Sequence, residues 1–360
     1  MAKSQSISQN AWKRLRKNRG AVAGLVMIIL ATFMGVFAYY LAPDSTPNAD
    51  REILEIQAKP PGFTQTFLKV RKQKEVLPTG FWQRLLYGAE DPYNYLPINS
   101  YKLKADSVVV EKFIDEGVQE RRAYSKTLLP ANNFVVKKTF WLGTDKFGRD
   151  MLSRLIVGVR VSLAVGLITV VISLFIGILL GALSGYYGGR TDSVIMWFIN
   201  VIWSMPTLLL AFGLTLALGK GFWQVFIAVG LTMWVNVART IRGQVMSLKE
   251  LEYIQAARAL GLGNLRIIKN HVLPNVLGPV IVIAASNFAS AIIIEAGLSF
   301  LGVGVQPPMP SWGLMIKENY NFIITHNPAL ALAPGIAIMI LVLAFNLLGN
   351  GLRDALDVRG

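Results

Sequence analysis

The sequence predicts an all-α polytopic membrane protein with six transmembrane helices and a small α+β extracytoplasmic insertion between the first two. Three observations lead to this fold class. The chain of 360 residues is 53% hydrophobic, which is rare for a soluble protein of this length. Six apolar runs are each long enough to cross a bilayer core about 30 Å thick. The segment between the first two runs carries charges of both signs and many prolines.

The first apolar run, residues 21–42, is predicted to be a retained transmembrane helix. It is free of charge over roughly 20 residues, about twice the length of a signal-peptide core, and no small-residue cleavage motif follows it. The tail at residues 1–20 is basic and has no acidic residue, so the positive-inside bias predicts a cytoplasmic N-terminus. Its basic cluster consists of Lys13, Arg14, Arg16, Lys17 and Arg19.

The segment 43–157 is predicted to be an extracytoplasmic insertion domain with some β-structure. Within it, residues 101–110 alternate between apolar and polar side chains, as a half-buried strand does. Long loops cross the membrane largely regardless of charge, so the many charges here do not conflict with this side.

A five-helix transmembrane core is predicted for residues 158–350. Pro206 is expected to kink the third span, and recurring glycines predict close helix packing. The loops at 185–193 and 241–275 and the tail at 351–360 are then cytoplasmic. The spans lie at 162–184, 194–218, 222–240, 276–302 and 329–349, and the glycines are Gly166, Gly177, Gly181, Gly213 and Gly297.

The composition argues against several functional classes. The net charge of +15 would suit nucleic-acid binding, but the apolar runs favour a bilayer instead, and no nucleic-acid partner is expected. No G-x-x-x-x-G-K-[ST] phosphate loop is present. The two histidines, His271 and His326, fall on opposite predicted sides of the membrane. We therefore expect no catalytic residue, no metal site and no cofactor in this chain.

The loop at 241–275 predicts a compact pair of short helices. Ser247 to Glu250 has the spacing of a capping box, and helix-forming residues follow. Gly261 would end the first helix. A second helix would run over 265–273 and end at Pro274. The alternative is an ordinary amphipathic connector without a partner.

The spacing of this loop resembles the signature loop of binding-protein-dependent ABC importer permeases. That signature is usually Glu-Ala-Ala, three residues, Gly, nine residues, then Ile-x-Leu-Pro. The chain departs from it twice, at Gln255 and at His271. The ending His-Val-Leu-Pro-Asn is similar to the peptide and nickel branch. Blocks similar to the second permease subunit of that branch lie at 12–19, 142–163, 185–192, 295–302 and 308–313.

The resemblance covers residues 10–42 and 140–358. It implies a type I ABC importer permease in the bacterial inner membrane that moves oligopeptides or dipeptides, with nickel or another small solute as the alternative. It also implies a homologous second permease subunit, two cytoplasmic ATPase subunits that bind ATP-Mg, and an extracytoplasmic substrate-binding protein. The implied ATPase-coupling residues are Glu252, Gln255, Ala256, Ala257, Arg258, Gly261, His271, Leu273 and Pro274.

Polar residues in or near the spans supply two further sets of candidates. A charge at the bilayer centre costs about 2.5–3.5 kcal/mol, so it faces the bundle or water. Candidates for the translocation path are Asn200, Asn236, Asn287 and Glu295, with helix packing as the alternative role. Candidates for docking the binding protein are Arg149, Arg154 and Arg160, with an ion-pair network to Asp145 and Asp150 as the alternative.

Two rival classes predict different features. A self-sufficient secondary transporter would place several ionisable groups at mid-membrane, and the predicted spans hold one acidic residue, Glu295. A membrane-anchored extracytoplasmic domain would not need six glycine-rich spans.

Overall fold

A computed structural model describes residues 7–324 and 327–356. Within these residues the protein is mostly helical, with five helices long and apolar enough to cross a membrane, or six if one bent pair is a single span. The chain divides into two compact units. The helical unit comprises Met1–Ala31, Ser162–Gln306 and Ile338–Gly360, and the sheet unit comprises Thr32–Val161 and Pro307–Ala337.

The N-terminal region forms three helices, α1 (Ile7–Lys17), α2 (Arg19–Val36) and α3 (Ala38–Leu41). Asn18 lies between the first two and caps α2, because its Oδ1 accepts from the backbone N–H of Ala21 at 3.1 Å. The predicted span 21–42 is therefore helical on both sides of a single interruption at Phe37.

The sheet unit contains five antiparallel strands in the order β4-β3-β2-β1-β5. Apolar side chains are buried on both faces, one cluster around Phe67 and Phe140 and another around Leu68 and Val110. The strands are β1 (Phe63–Arg71), β2 (Tyr93–Leu103), β3 (Ser107–Asp115), β4 (Val118–Ser125) and β5 (Val135–Phe140), and α4 (Phe81–Tyr87) joins β1 to β2.

The single strand predicted over 101–110 is wrong, although the extended conformation is present. A turn separates β2 from β3, and the backbone N–H of Lys104 donates to the carbonyl of Ser107 at 2.9 Å. The apolar alternation continues through the turn, so it could not reveal where the chain reverses.

Nine more helices follow within the described residues. Short 3₁₀ turns lie at Pro47–Ala49, Leu54–Ile56, Lys126–Leu128 and Tyr320–Ile323, and a π-helical turn spans Ile268–Val272. The helices are α5 (Met151–Tyr187), α6 (Gly189–Trp203), α7 (Thr207–Leu218), α8 (Phe222–Lys249), α9 (Glu252–Ala259), α10 (Asn264–Ile267), α11 (Leu273–Phe300), α12 (Trp312–Asn319) and α13 (Ala329–Leu356).

The kink predicted at Pro206 is confirmed as a full break. Helices α6 and α7 meet at 92° across residues 204–206. Proline has no N–H to continue the helical ladder, and its ring clashes with the preceding turn. The two short helices together cover the predicted third span.

Close packing between α5 and α8 depends on three glycines spaced four residues apart. A Cβ atom on Gly181 would lie 2.5 Å from the carbonyl oxygen of Ala238, and one on Gly185 would lie 2.7 Å from that of Arg242. Gly177 faces Val237 in the same way. Small residues at this period let helix backbones approach, as in membrane helix pairs generally. The prediction that Gly213 serves packing is wrong within the described chain, since a Cβ atom placed on it would meet no other part of the structure within 4 Å.

Two cations share one tyrosine ring inside the sheet unit. The Nζ of Lys138 lies 3.9 Å from the ring centroid of Tyr95, and the guanidinium of Arg51 lies 4.3 Å from it. Burial, and secondly the neighbouring Arg51 charge, lower the pKa of Lys138 to about 8. Burial also raises the pKa of Tyr95 to about 12. The protonated form of Lys138 is thus disfavoured in the folded state.

We expect the stability of the sheet unit to rise between pH 8 and pH 10. The unfolded chain binds a proton at Lys138 that the folded chain gives up, since the folded pKa of about 8 lies below the ordinary 10.5. Lys138→Met should remove this rise in the free energy of unfolding, which is on the order of 2 kcal/mol between pH 8 and pH 10. Hydrogen–deuterium exchange of residues 63–140 at several pH values, corrected for the intrinsic exchange rate, measures it. An unchanged slope in the variant would contradict this assignment.

Candidate functional site

The turn after α9 is closed by a Schellman motif, which confirms the predicted stop at Gly261. Gly261 has a φ of +78°. Glycine adopts this conformation without steric cost because it has no Cβ atom. The N–H of Leu262 donates to the carbonyl of Ala257 at 3.2 Å, and the N–H of Gly261 donates to that of Arg258 at 3.0 Å. Both bonds fix the angle at which the chain leaves α9.

The capping box predicted at Ser247 is wrong. Ser247 lies inside α8, and its Oγ donates to the carbonyl of Gly243 at 3.2 Å. Helix α8 continues to Lys249 because Val245 is buried on its inner face. Helix α9 begins one turn later, after Leu251, with no side-chain cap. Gln255 instead donates from Nε2 to the carbonyl of Glu250 at 3.1 Å.

The second predicted helix does not end at Pro274. Helix α10 passes through the π-helical turn Ile268–Val272 into α11, which carries Pro274 in its first turn. Proline has no N–H to donate to the helical ladder, and the π-helical turn that disrupts the α-helical pattern lies directly before it. His271 lies in the π-helical turn, and its carbonyl accepts from Nδ2 of Asn275 at 2.6 Å.

The loop helices are anchored to the helical unit on one side. Ile254 and Ala257, three residues apart on α9, are buried with Ile267 in a cluster that also contains Val245. The two predicted small residues therefore lie on different sides of α9, since Ala257 is buried and Ala256 is exposed.

Two polar contacts that the sequence did not indicate fasten this loop. The hydroxyl of Tyr186 at the end of α5 donates to Oδ1 of Asn264 at 3.1 Å. Nδ2 of Asn275 also donates to the hydroxyl of Tyr253 at 3.2 Å. Each contact joins residues far apart in the chain, so spacing alone could not reveal it. Tyr186 also lies 5.5 Å below the guanidinium of Arg258.

The opposite side of the loop is exposed and apolar at its corner. Leu260 is 83% exposed and Leu265 is 73% exposed, on either side of Gly261. His271 and Leu273 are partly buried, and most of the other coupling candidates are exposed. The exposed ones are Glu252, Gln255, Ala256, Arg258, Gly261 and Pro274.

An ion pair joins α6 to α8 beside this loop. Nε and Nη2 of Arg242 each donate to an oxygen of Asp192 at 2.6 Å. Ser184 of α5 also contacts the same carboxylate. Bidentate arginine–carboxylate pairs fix geometry as well as charge, so the base of the loop is held by three helices.

Two of the predicted path residues line one cavity of about 320 Å³ in the helical unit. Asn236 of α8 and Asn287 of α11 face it, together with Thr207 and Trp203 at the break between α6 and α7. Asn287 is buried and donates from Nδ2 to Oγ of Ser173 at 3.4 Å.

The remaining path candidates lie elsewhere. Oδ1 of Asn200 accepts from Nη2 of Arg239 at 3.0 Å. Glu295 is buried and its Oε1 accepts from Oγ of Ser299 at 2.6 Å, while that hydroxyl accepts from the N–H of Val305 at 3.0 Å. The hydrogen bond between Ser299 and Glu295 corresponds to the packing alternative for Glu295.

Arg149 and Arg154 belong to a buried charge cluster in the sheet unit. Arg149 donates to Asp145 at 2.7 Å, to Glu318 at 2.8 Å and to Asp50 at 3.0 Å. Arg154 is fully buried within 4 Å of the same three carboxylates. Although burial opposes the charged form, these carboxylates raise the pKa of Arg149 above its ordinary value.

The ion-pair alternative thus describes both arginines, with two carboxylates that sequence reasoning missed, Asp50 and Glu318. Asp150 is not part of the cluster. It accepts from the hydroxyl and the N–H of Ser153, and burial raises its pKa. Arg160 donates to the carbonyl of Leu85 at 3.1 Å and stacks on Tyr39.

Within residues 7–324 and 327–356, no group of three His, Asp or Glu side chains is placed to hold a metal ion. His326 lies outside the described residues.

Comparison with known proteins places the chain in a family. The model for the binding-protein-dependent transport system inner membrane component matches residues 177–359. The model for the N-terminal TM domain of oligopeptide transport permease C matches residues 6–61. A chain of the inward-facing MetNI methionine ABC transporter superposes with a TM-score of 0.46 at 19% identity, over 56% of this chain and 95% of that one.

Three relatives are similar over most of their length. The dipeptide transport system permease protein DppC of Alkalihalophilus pseudofirmus is 44% identical over 60% of this chain and 71% of its own. The glutathione transport system permease protein GsiD of Pectobacterium atrosepticum is 43% identical over 60% and 72%. DppC of Bacillus subtilis is 32% identical over 98% of this chain and 86% of its own. That match extends across the 43–157 segment, most of which the motif resemblance left out. The chain therefore belongs to the family of binding-protein-dependent transport system inner membrane components, the permease subunits of ABC importers, and is a transport subunit rather than an enzyme.

Proposed function

We propose that this permease imports short peptides and is driven by ATPase subunits that bind the corner formed by α9 and α10. Two relatives, at 44% and 43% identity, are named for dipeptide and for glutathione transport. Dipeptides and glutathione are both short peptides with free carboxylates. Nickel or another small solute is the alternative cargo of the same branch. The single observation that carries the ATPase contact is the pair of exposed leucines at Gly261. Exposed apolar groups of this kind mark partner surfaces.

The corner is built to move as one body with the helices that carry it. Its inner side is anchored by Ile254 and Ala257, its bend is fixed by the Schellman motif, and its base is held by Arg242. When ATP closes the ATPase pair, a rigid corner transmits the displacement instead of bending. ATP thereby favours one of two states of the bundle, and this chain carries out no chemistry itself.

The proposed arrangement keeps six membrane spans, with the α6–α7 pair as one of them. The N- and C-termini are placed in the cytoplasm and residues 43–157 form an extracytoplasmic α+β insertion domain. We assign to that domain the docking of the substrate-binding protein. Arg160 is the candidate contact that stands outside the buried charge cluster. A homologous second permease subunit completes the path in the bacterial inner membrane.

Replacing Leu260 with glutamate tests the ATPase contact. We expect the variant to co-purify with much less ATPase and to lose substrate-stimulated ATP hydrolysis and uptake by at least about tenfold, because a charge would enter an apolar interface. The matched control for co-purification of the ATPase is Leu77→Glu, at a leucine of similar exposure (79%) in the sheet unit. Wild-type co-purification and coupling in Leu260→Glu would overturn the proposed contact.

A further inference from the structure

Arg239 is a partly buried cation of the helical unit that contacts an amide and an aromatic ring. It lies on α8, three residues before Arg242, which is paired with Asp192. Arg239 instead donates to the neutral amide of Asn200 at 3.0 Å, and its guanidinium lies 3.5 Å from the ring centroid of Trp203. None of the described carboxylates forms an ion pair with it. The charge of Arg239 is therefore available to an anionic group that enters from outside the chain.

This cation adjoins the cavity that holds Asn236 and Asn287. Trp203, on which the guanidinium stacks, lines that cavity, and Asn236 precedes Arg239 by one helical turn. Of the twelve residues that line the cavity, none is acidic, and Thr207, Thr232 and Ser290 add hydroxyl groups. Helix α7 also begins here without a side-chain cap, so its first N–H groups favour negative charge.

We propose that Arg239 binds the carboxylate of the transported peptide as it passes this cavity, with Asn200 and Trp203 holding the guanidinium in place. The proposal rests on peptide import as the function. Arginine suits the task because its fork of N–H groups matches a carboxylate. One edge of the fork is used by Asn200, and stacking on Trp203 fixes the plane of the rest.

Two variants separate this role from a structural one. Arg239→Gln removes the charge, and Asn200→Asp leaves the arginine in place but supplies it with a permanent carboxylate. If Arg239 only holds α6 against α8, Asn200→Asp should strengthen that contact and preserve uptake. If Arg239 must receive the peptide carboxylate, Asn200→Asp should compete with it and impair uptake as Arg239→Gln does.

The experiment uses the complete transporter reconstituted in phosphatidylcholine vesicles, with the binding protein saturated by radiolabelled trialanine or by trialanine amide. We expect both variants to take up trialanine about tenfold more slowly, the loss of one charge-assisted contact, and trialanine amide at the wild-type rate. Arg239→Lys should retain part of the trialanine rate. The control Arg190→Gln, at an exposed arginine of the same unit, should match wild type.

Either of two results would overturn the assignment of Arg239. Wild-type trialanine uptake by Asn200→Asp would show a structural role. An equal loss for both peptides would show that the charge pairs with lipid or with another subunit. If the wild-type transporter takes up neither peptide, peptide import itself is refuted, and this inference falls with it.

Discussion

Replacing Gly181 with valine is expected to prevent stable packing of α5 on α8. The first atom of the new side chain would lie 2.5 Å from the backbone carbonyl of Ala238, and a backbone atom cannot move aside as a flexible side chain can. Overpacking commonly costs about 1–3 kcal/mol, and an obstacle of backbone places this site at the upper end or beyond. We expect a lower melting temperature and a lower yield of monodisperse complex in fluorescence-detected size-exclusion chromatography.

Gly213→Val is the matched control for this effect. It places the same β-branched residue in the apolar helix α7, where a Cβ atom added to the glycine would meet no other part of the structure within 4 Å. Valine has a higher helix propensity than glycine, so the control should leave stability unchanged or raise it by less than about 1 kcal/mol. Equal losses in the two variants would show that the tight α5–α8 contact does not limit stability.

Arg154→Met is expected to destabilise the sheet unit by about 3–5 kcal/mol, the usual cost of removing one partner from a buried ion pair. The three carboxylates of Asp50, Asp145 and Glu318 would then share Arg149 alone. Faster hydrogen exchange in residues 135–150 and a lower unfolding temperature would report the loss. The second variant, Arg154→Met with Glu318→Gln, should recover part of it by removing one of the surplus charges.

Arg160→Met provides the comparison in the same unit. Arg160 contacts a backbone carbonyl and a tyrosine ring rather than a carboxylate. Its loss should cost about 1 kcal/mol. A sheet unit that tolerates Arg154→Met as well as Arg160→Met would mean that the charge cluster adds no net stability.

Local rules anticipated the features that depend on a few adjacent residues. The break at Pro206 follows from the missing N–H of proline, and the turn at Gly261 follows from the positive φ that glycine adopts freely. The apolar runs also predicted the long helices, because the length needed to cross a bilayer can be read directly from the sequence.

Features that depend on distant residues were not predictable in this way. The capping box at Ser247 fits the local rule, yet burial of Val245 extends α8 through it. The acidic partners of Arg149 are spread from Asp50 to Glu318, separated by most of the chain. Arg239 carries no motif, and its position became informative only when Asn200 and Trp203 were found beside it.

The π-helical turn at Ile268–Val272 changes how the spacing of the signature loop should be counted. A π-helical turn holds one residue more than an α-helical turn. The stretch from Gly261 to Pro274 thus includes one residue that an uninterrupted α-helix would not need. Each residue turns an α-helix by about 100°, but the extra residue of a π-helical turn is accommodated within that turn. Deleting one residue here would therefore restore a regular α-helix and leave the orientation of α10 relative to α11 unchanged. When two signature loops are aligned by a fixed number of residues, the aligned positions are therefore equivalent only if both chains keep the π-helical turn.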